Sequence, residues 1–153
     1  MDRLELYRKF AERFHGGKRL RPATDDQISE AETALGVLWP ESYRQFSLTC
    51  GAIYTPSLVE LIVELNLEFA DVQDFLTPKQ TVTETRRSLA EPPGTGIVFA
   101  NDCSGNLFTF RELSSNCRVE DSPVWFFDHE NNSFNKEADS FDEWISRFVG
   151  LGA

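Results

Sequence analysis

Residue types able to do chemistry are sparse in this chain, and their tightest grouping is Asp128-His129-Glu130. A histidine between carboxylates could transfer protons or hold a metal ion, provided that the three side chains converge. In an extended segment alternate side chains point to opposite faces, so Asp128 and Glu130 share one face while His129 points away. That spoils a three-ligand centre. The segment reads first as a polar strand end leading into the Asn131-Asn132 turn. Cys103 is a candidate nucleophile, but no histidine lies near it in sequence to activate the thiol. A small buried or turn cysteine is the preferred reading, and an enzyme built on Asp128, His129 and Cys103 ranks last. His15, beside Gly16, reads as the end of a helix, where a partly positive imidazole is favourable. Gly94 and Gly96 follow Pro92-Pro93 with no strand-to-helix passage after them, so no phosphate-cradling loop is read there. A binding role therefore comes ahead of catalysis, with no catalytic residue, metal or cofactor expected.

Groups suited to contacting a partner are more numerous. Glu60, Glu64, Glu68, Asp71 and Asp74 crowd the middle of the chain, and Asp102, Asp128 and Glu130 sit at turns or strand ends. The plainer reading of the first five is a solvated face. Asp102, with Asn106, equally suits the capping of turn amides. Trp39, just ahead of Pro40, reads chiefly as a packing staple over the following helix. Its rival role is a partner-facing anchor, since tryptophans are common interface hot spots.

The elements that must position these groups follow from spacing. Leu4, Leu6, Tyr7, Phe10, Ala11 and Phe14 recur at helical intervals and stop before Gly16-Gly17. Thr24 and Gln27 form a capping box for a second helix, which Gly36 ends. Leu38-Trp39-Pro40 opens a third, carrying Tyr43, Phe46, Ser47 and Cys50 up to Gly51. Leu58 to Leu65 reads as a strand interrupted by Glu60 and Glu64. Glu68 to Phe75 and Thr81 to Ala90 read as short helical or irregular connectors divided by Pro78, with a break at Pro92-Pro93-Gly94. Strands are expected at Gly96–Ala100, Asn106–Arg111 and Val124–Asp128, the last bulky on both faces and so interior or covered. Ser140 and Glu143 cap a final helix bearing Phe141, Trp144, Ile145 and Phe148. The expected fold is α+β: one domain over residues 1–153, an antiparallel or mixed central sheet with helices packed on it.

Bulk properties bound the function. The 153 residues are 41% hydrophobic with 13 Phe, enough for a sizeable core in a single domain. With 25 Asp and Glu against 15 Lys and Arg, the net charge of -10 repels phosphate backbones, so no direct nucleic-acid partner is expected. Lys18, Arg19 and Arg21 make only a short basic stretch. Cys50, Cys103 and Cys117 are odd in number and lack metal-ligand spacing, which favours a reducing compartment. The start, Met1-Asp2-Arg3-Leu4-Glu5, has no leader character, and apolar runs fall short of the ~18–20 residues of a membrane span. A cytoplasmic protein without a membrane partner is the expectation; nothing here sets its oligomeric state.

Taken in order, several segments resemble the SUKH superfamily of Smi/Knr-type proteins. Leu35-Gly36, Leu38, Pro40, Tyr43, Phe46 and Gly51 look like its amino-terminal signature. Asn101-Asp102-Cys103-Ser104-Gly105-Asn106 is similar to its central turn, with Cys103 in place of the commoner Gly. Phe127-Asp128-His129-Glu130, then Ala138, Ser140, Phe141 and Trp144, resemble its closing segment. The similarity runs from about Thr24 to Phe148; Trp39 fills a slot usually small or polar, and Ala52 one usually Gly. The resemblance implies an α+β domain without enzymatic activity. It implies an immunity protein of the bacterial branch that binds a cognate polymorphic toxin, a nuclease or deaminase, and occludes it stoichiometrically. Such a toxin is basic where it holds phosphate, which suits the carboxylate excess here. The alternative is an intracellular scaffold or regulatory module that binds host proteins.

Overall fold

A computed structural model of the protein describes residues 2–17, 19–88 and 96–151. Helices α1 (Arg3–Phe14), α2 (Asp25–Leu35), α3 (Glu41–Thr49) and α4 (Leu58–Glu64) come first, followed by β1 (Asp74–Phe75) and α5 (Pro78–Ser88). Strands β2 (Ile97–Asn101), β3 (Leu107–Phe110), β4 (Val124–Asp128) and β5 (Ser133–Ala138) lead into α6 (Phe141–Val149).

Local chemistry fixes the helix ends. The Glu5 amide donates to Asp2 Oδ1 at 2.9 Å, opening α1. At α2 the Gln27 amide donates to Thr24 Oγ1 at 3.1 Å while the Thr24 amide donates to Gln27 Oε1 at 3.0 Å, the reciprocal box read from the sequence. Gly36 ends that helix at φ 73°, a region cheap only without a side-chain carbon. The Glu143 amide donates to Ser140 Oγ at 3.1 Å at the start of α6.

The strands form one sheet in the order β1-β2-β3-β4-β5, every neighbouring pair antiparallel. With helices gathered against it, the protein is an α+β fold. Between the sheet and α1, α3 and α6 lies an aromatic core. Phe99 and Phe110 stack at 4.2 Å, Trp144 lies 5.0 Å from Phe108, and Tyr43 lies 5.0 Å from Phe99. Such pairs add roughly 0.5–1.5 kcal/mol each beyond the burial of their surface. Helix α5 packs against β2 and α2. At the register shift between Val98 and Ala100, the Val98 amide donates to Thr85 Oγ1 of α5 at 2.8 Å. Strand β4 is interior: Phe126 meets Phe108 at 5.3 Å, while Phe127 meets Phe134 of β5 at 4.8 Å. Arg111 spreads its guanidinium 3.8 Å above the Phe134 ring.

Three expectations change. Leu58–Leu65 is not a strand but contains α4. Period-two geometry would have placed Glu60 and Glu64 on the same face as the buried Leu58 and Ile62; a helix separates them. Pro78 is not a divider but the first residue of α5, where its missing amide hydrogen costs nothing. Thr77 and Gln80 cap each other ahead of it, at 3.0 and 3.1 Å. Strand β5 went unread because Asn135-Lys136-Glu137 gives an edge strand little apolar alternation. Ala90 and Pro92-Pro93-Gly94 lie outside the described residues.

One close approach ties the amino-terminal half together. Gly51 sits at φ 75° against the backbone of Arg21 and Pro22, and a Cβ there would fall 1.9 Å from the Arg21 carbonyl oxygen. Only glycine fits.

Candidate partner-binding face

The β2–β3 and β4–β5 turns lie at the same end of the sheet, because successive antiparallel hairpins reverse there. Each turn is organised by an aspartate. Asp102 Oδ1 accepts from the amides of Ser104 and Asn106, both at 2.8 Å, and its Oδ2 accepts from the Asn106 side-chain amide at 3.0 Å. Asp128 repeats the device, accepting from the amides of Glu130 and Asn131 at 3.0 and 3.3 Å and from the Asn131 side chain at 2.8 Å. These bonds, the Asn131 side chain first, hold the Asp128 carboxyl below the usual carboxylate range. Asn106 Oδ1 joins the turns, accepting from the His129 amide at 3.2 Å and lying 2.6 Å from His129 Nδ1. His129 is thus engaged by an amide, and both carboxylates of the turns are occupied by local donors.

Strand β1 starts at this same end, since Asp74 pairs with Asn101. Asp71 lies near Cys103 and close enough to Asp102 to feel its charge. Burial first, then the Asp102 charge, pushes the Asp71 carboxyl above its ordinary value. Burial does the same for Asp74. The structure therefore gathers Asp71, Asp74, Asp102, Asp128 and Glu130 at one end of the sheet. Glu68, itself exposed, precedes this group on a loop that the Leu67 amide anchors to the Ile62 carbonyl at 3.0 Å.

Helix α4 carries exposed acids and apolar groups of its own. Glu60 and Glu64 face solvent together with Val63, which is 74% exposed, and Leu65, 41% exposed. Tyr54, 41% exposed, bridges to Asp74. Exposed apolar groups rimmed by charge are the make-up of a protein interface. Val63 and Leu65 escaped sequence reasoning because a strand assignment hid which side of the segment faces outward, and Tyr54 because its stretch carries no assigned element.

Trp39 is not a partner-facing anchor. Its side chain has no exposure and packs 5.0 Å from Tyr43. Its backbone is clamped as well: Glu32 Oε2 accepts from the Trp39 amide at 2.7 Å, and Arg118 donates to Glu32 at 2.6 Å and to the Trp39 carbonyl at 3.0 Å. The indole Nε1 is buried without a hydrogen-bond partner.

The family model described as SMI1 / KNR4 family (SUKH-1) matches residues 22–147, most of the chain. The chain belongs to the SMI1 / KNR4 family (SUKH-1). No curated protein matches it. The signature positions of the SUKH-1 pattern mostly build the fold: Tyr43 and Phe46 are core, Gly36 and Gly51 hold positive φ, and Asp102 and Asp128 organise turns. The acids beyond the turns, with Val63 of α4 and Leu65 just after it, lie on the surface that this scaffold presents. Among the described residues, no three His, Cys, Asp or Glu side chains gather as metal ligands, and no helix is long and apolar enough to cross a membrane.

Proposed function

We propose that this SUKH-1 protein is a cytoplasmic, non-enzymatic immunity protein that neutralises a cognate toxin by stoichiometric binding. Proteins of the family typically bind partner proteins. One observation carries the reading here. Five of the eight nominated acids, Asp71, Asp74, Asp102, Asp128 and Glu130, gather at one end of the sheet, and none of the eight enters an ion pair among the described residues, a lack they share with Asp2, Glu12, Asp26, Glu30, Asp121, Glu137 and Glu143. A basic surface brought against the hairpin end and α4 supplies the missing cations, and Val63 and Leu65 give it an apolar contact. A nuclease or deaminase toxin offers such a surface where it grips phosphate, and covering that groove stops turnover without any chemistry by the inhibitor. Charge complementarity of this kind speeds encounter and rejects wrong partners more than it deepens affinity.

Co-expression with the toxin domain encoded beside the gene tests the proposal. Rescue of growth, a one-to-one complex and loss of both on replacing the hairpin-end acids are expected. A neighbouring toxin that neither binds nor loses toxicity rules the immunity role out. Recovery of several unrelated host proteins in place of one toxin moves the function to scaffolding.

A further inference from the structure

A groove of about 750 Å³ runs between α2 and α5 on a face that shares no residue with the carboxylates above. This size lies within the roughly 300–1,000 Å³ usual for ligand sites. Ala23, Ala31 and Val82 lie on its floor, and Arg21, Lys79 and Arg86 on its walls, with Glu30 as its one acid. Positive lining is unexpected in a chain of net charge -10. Of the other cations among the described residues, Arg3, Lys9, Arg44, Arg87, Arg118 and Lys136 each meet a carboxylate within 4 Å, while Arg8, Arg13, Arg19 and Arg147 do not. Arg21 and Lys79 meet none among the described residues, and both side chains are exposed. Arg86 donates to the Ala34 carbonyl at 3.2 Å, which fixes its guanidinium at the groove wall.

We propose that the α2–α5 groove is a second binding site, taking an acidic amphipathic peptide segment of a partner protein. The apolar floor of small residues accepts aliphatic side chains, and Arg21, Lys79 and Arg86 meet the carboxylates between them. Nucleic acid fits less well. A strand of phosphates draws its affinity from many cations at once, and the surrounding negative field works against it. The inference does not rest on the toxin reading, because a basic toxin surface is repelled here.

The test uses the full chain and a fluorescein-labelled peptide of Leu and Glu at helical spacing, with a Leu–Lys twin and an oligouridine as competitors. The Leu–Glu peptide is expected to bind, to shift the amide resonances of Ala31, Lys79 and Val82, and to weaken with added salt. The Arg21→Glu, Lys79→Glu double variant, whose folding is checked by circular dichroism, should lower its affinity about tenfold, two exposed charges being removed and reversed. The inference is overturned if the acidic peptide leaves those resonances unmoved. Equal binding to the folded variant, or a preference for the Leu–Lys peptide or oligouridine, overturns it too.

Discussion

Carboxylates at the two sides of this molecule are used in opposite ways. Around Trp39 and the start of α6, Glu32, Asp121 and Asp142 hold distant parts of the chain together. Glu32 grips Arg118 from 86 positions away, and Asp142 takes Arg3 from 139 positions away along with the Tyr7 hydroxyl. Asp121 accepts from Ser42 Oγ at 2.8 Å and from the Phe141 amide at 2.9 Å. At the hairpin end, Asp102 and Asp128 take only donors from their own turns, and Asp71 and Asp74 sit partly desolvated without a cation. Both regions are rich in carboxylates. What separates them is whether the fold itself supplies the counterpart, and a region where it does not is where another molecule can.

The comparison breaks first at the inner side. Trp39→Ala should cost about 3–5 kcal/mol, the loss of a fully buried indole. Glu32→Ala should cost about 2–3 kcal/mol, less than a fully buried pair because Arg118 keeps 29% side-chain exposure. Denaturant titration measures both, and values below that of an ordinary surface substitution would show that the clamp does not hold α2 to the 111–123 connection. At the hairpin end, Asp71→Asn with Asp74→Asn should leave folding intact yet slow association with a basic partner about tenfold at low salt, the difference shrinking as salt rises. Stopped-flow mixing reads it; an effect confined to dissociation would mean contact without steering.

Asp102→Ala should cost about 1–2 kcal/mol, since three donors of the turn lose their acceptor. Smallest is Asp71→Asn alone, expected to stabilise the free protein by about 0.5 kcal/mol near neutral pH. Its sign follows from linkage. The folded carboxyl binds its proton more tightly than the unfolded one, so stability falls as pH rises from the unfolded value, about 3.9, through the raised folded value. The gain from Asn is therefore present above that window and absent below it. Thermal melts at both ends of the window check this, and a destabilised variant at neutral pH would show that the Cys103 contact outweighs burial.

How much of this was legible in the sequence depended on whether a residue's job is local. The Thr24–Gln27 box, the Ser140 cap and the Asp102 and Asp128 turns lie within a few residues of their partners, so type and spacing were enough. Strand β4 was legible because bulky residues on both faces call for an interior or covered place, and the sheet order supplies the first. Helix α4 was misread because seven residues of Leu, Val, Ile and Glu satisfy both periods, and only the burial of Leu58 and Ile62 decides between them. The Glu32–Arg118 grip on Trp39 had no sequence signal, its partners standing 79 and 86 positions apart. The acids at the hairpin end were nominated by type, but their gathering depends on β1 pairing with β2, a contact of two residues.

Helix α1 lies ahead of the stretch that the family model covers, yet Tyr7 and Phe10 have no exposure and Phe14 only 5%. Phe148, just past the other limit, is equally enclosed. Conserved family pattern and folding unit are therefore different lengths of this chain. Trimmed to residues 22–147, the polypeptide would keep its signature and its hairpins but leave Phe46 and Phe75 facing water where Phe10 had covered them. Each lost aromatic weighs about 3–5 kcal/mol against a whole-protein margin of about 5–15 kcal/mol, so such a fragment would collapse into a loosely ordered, dye-binding state.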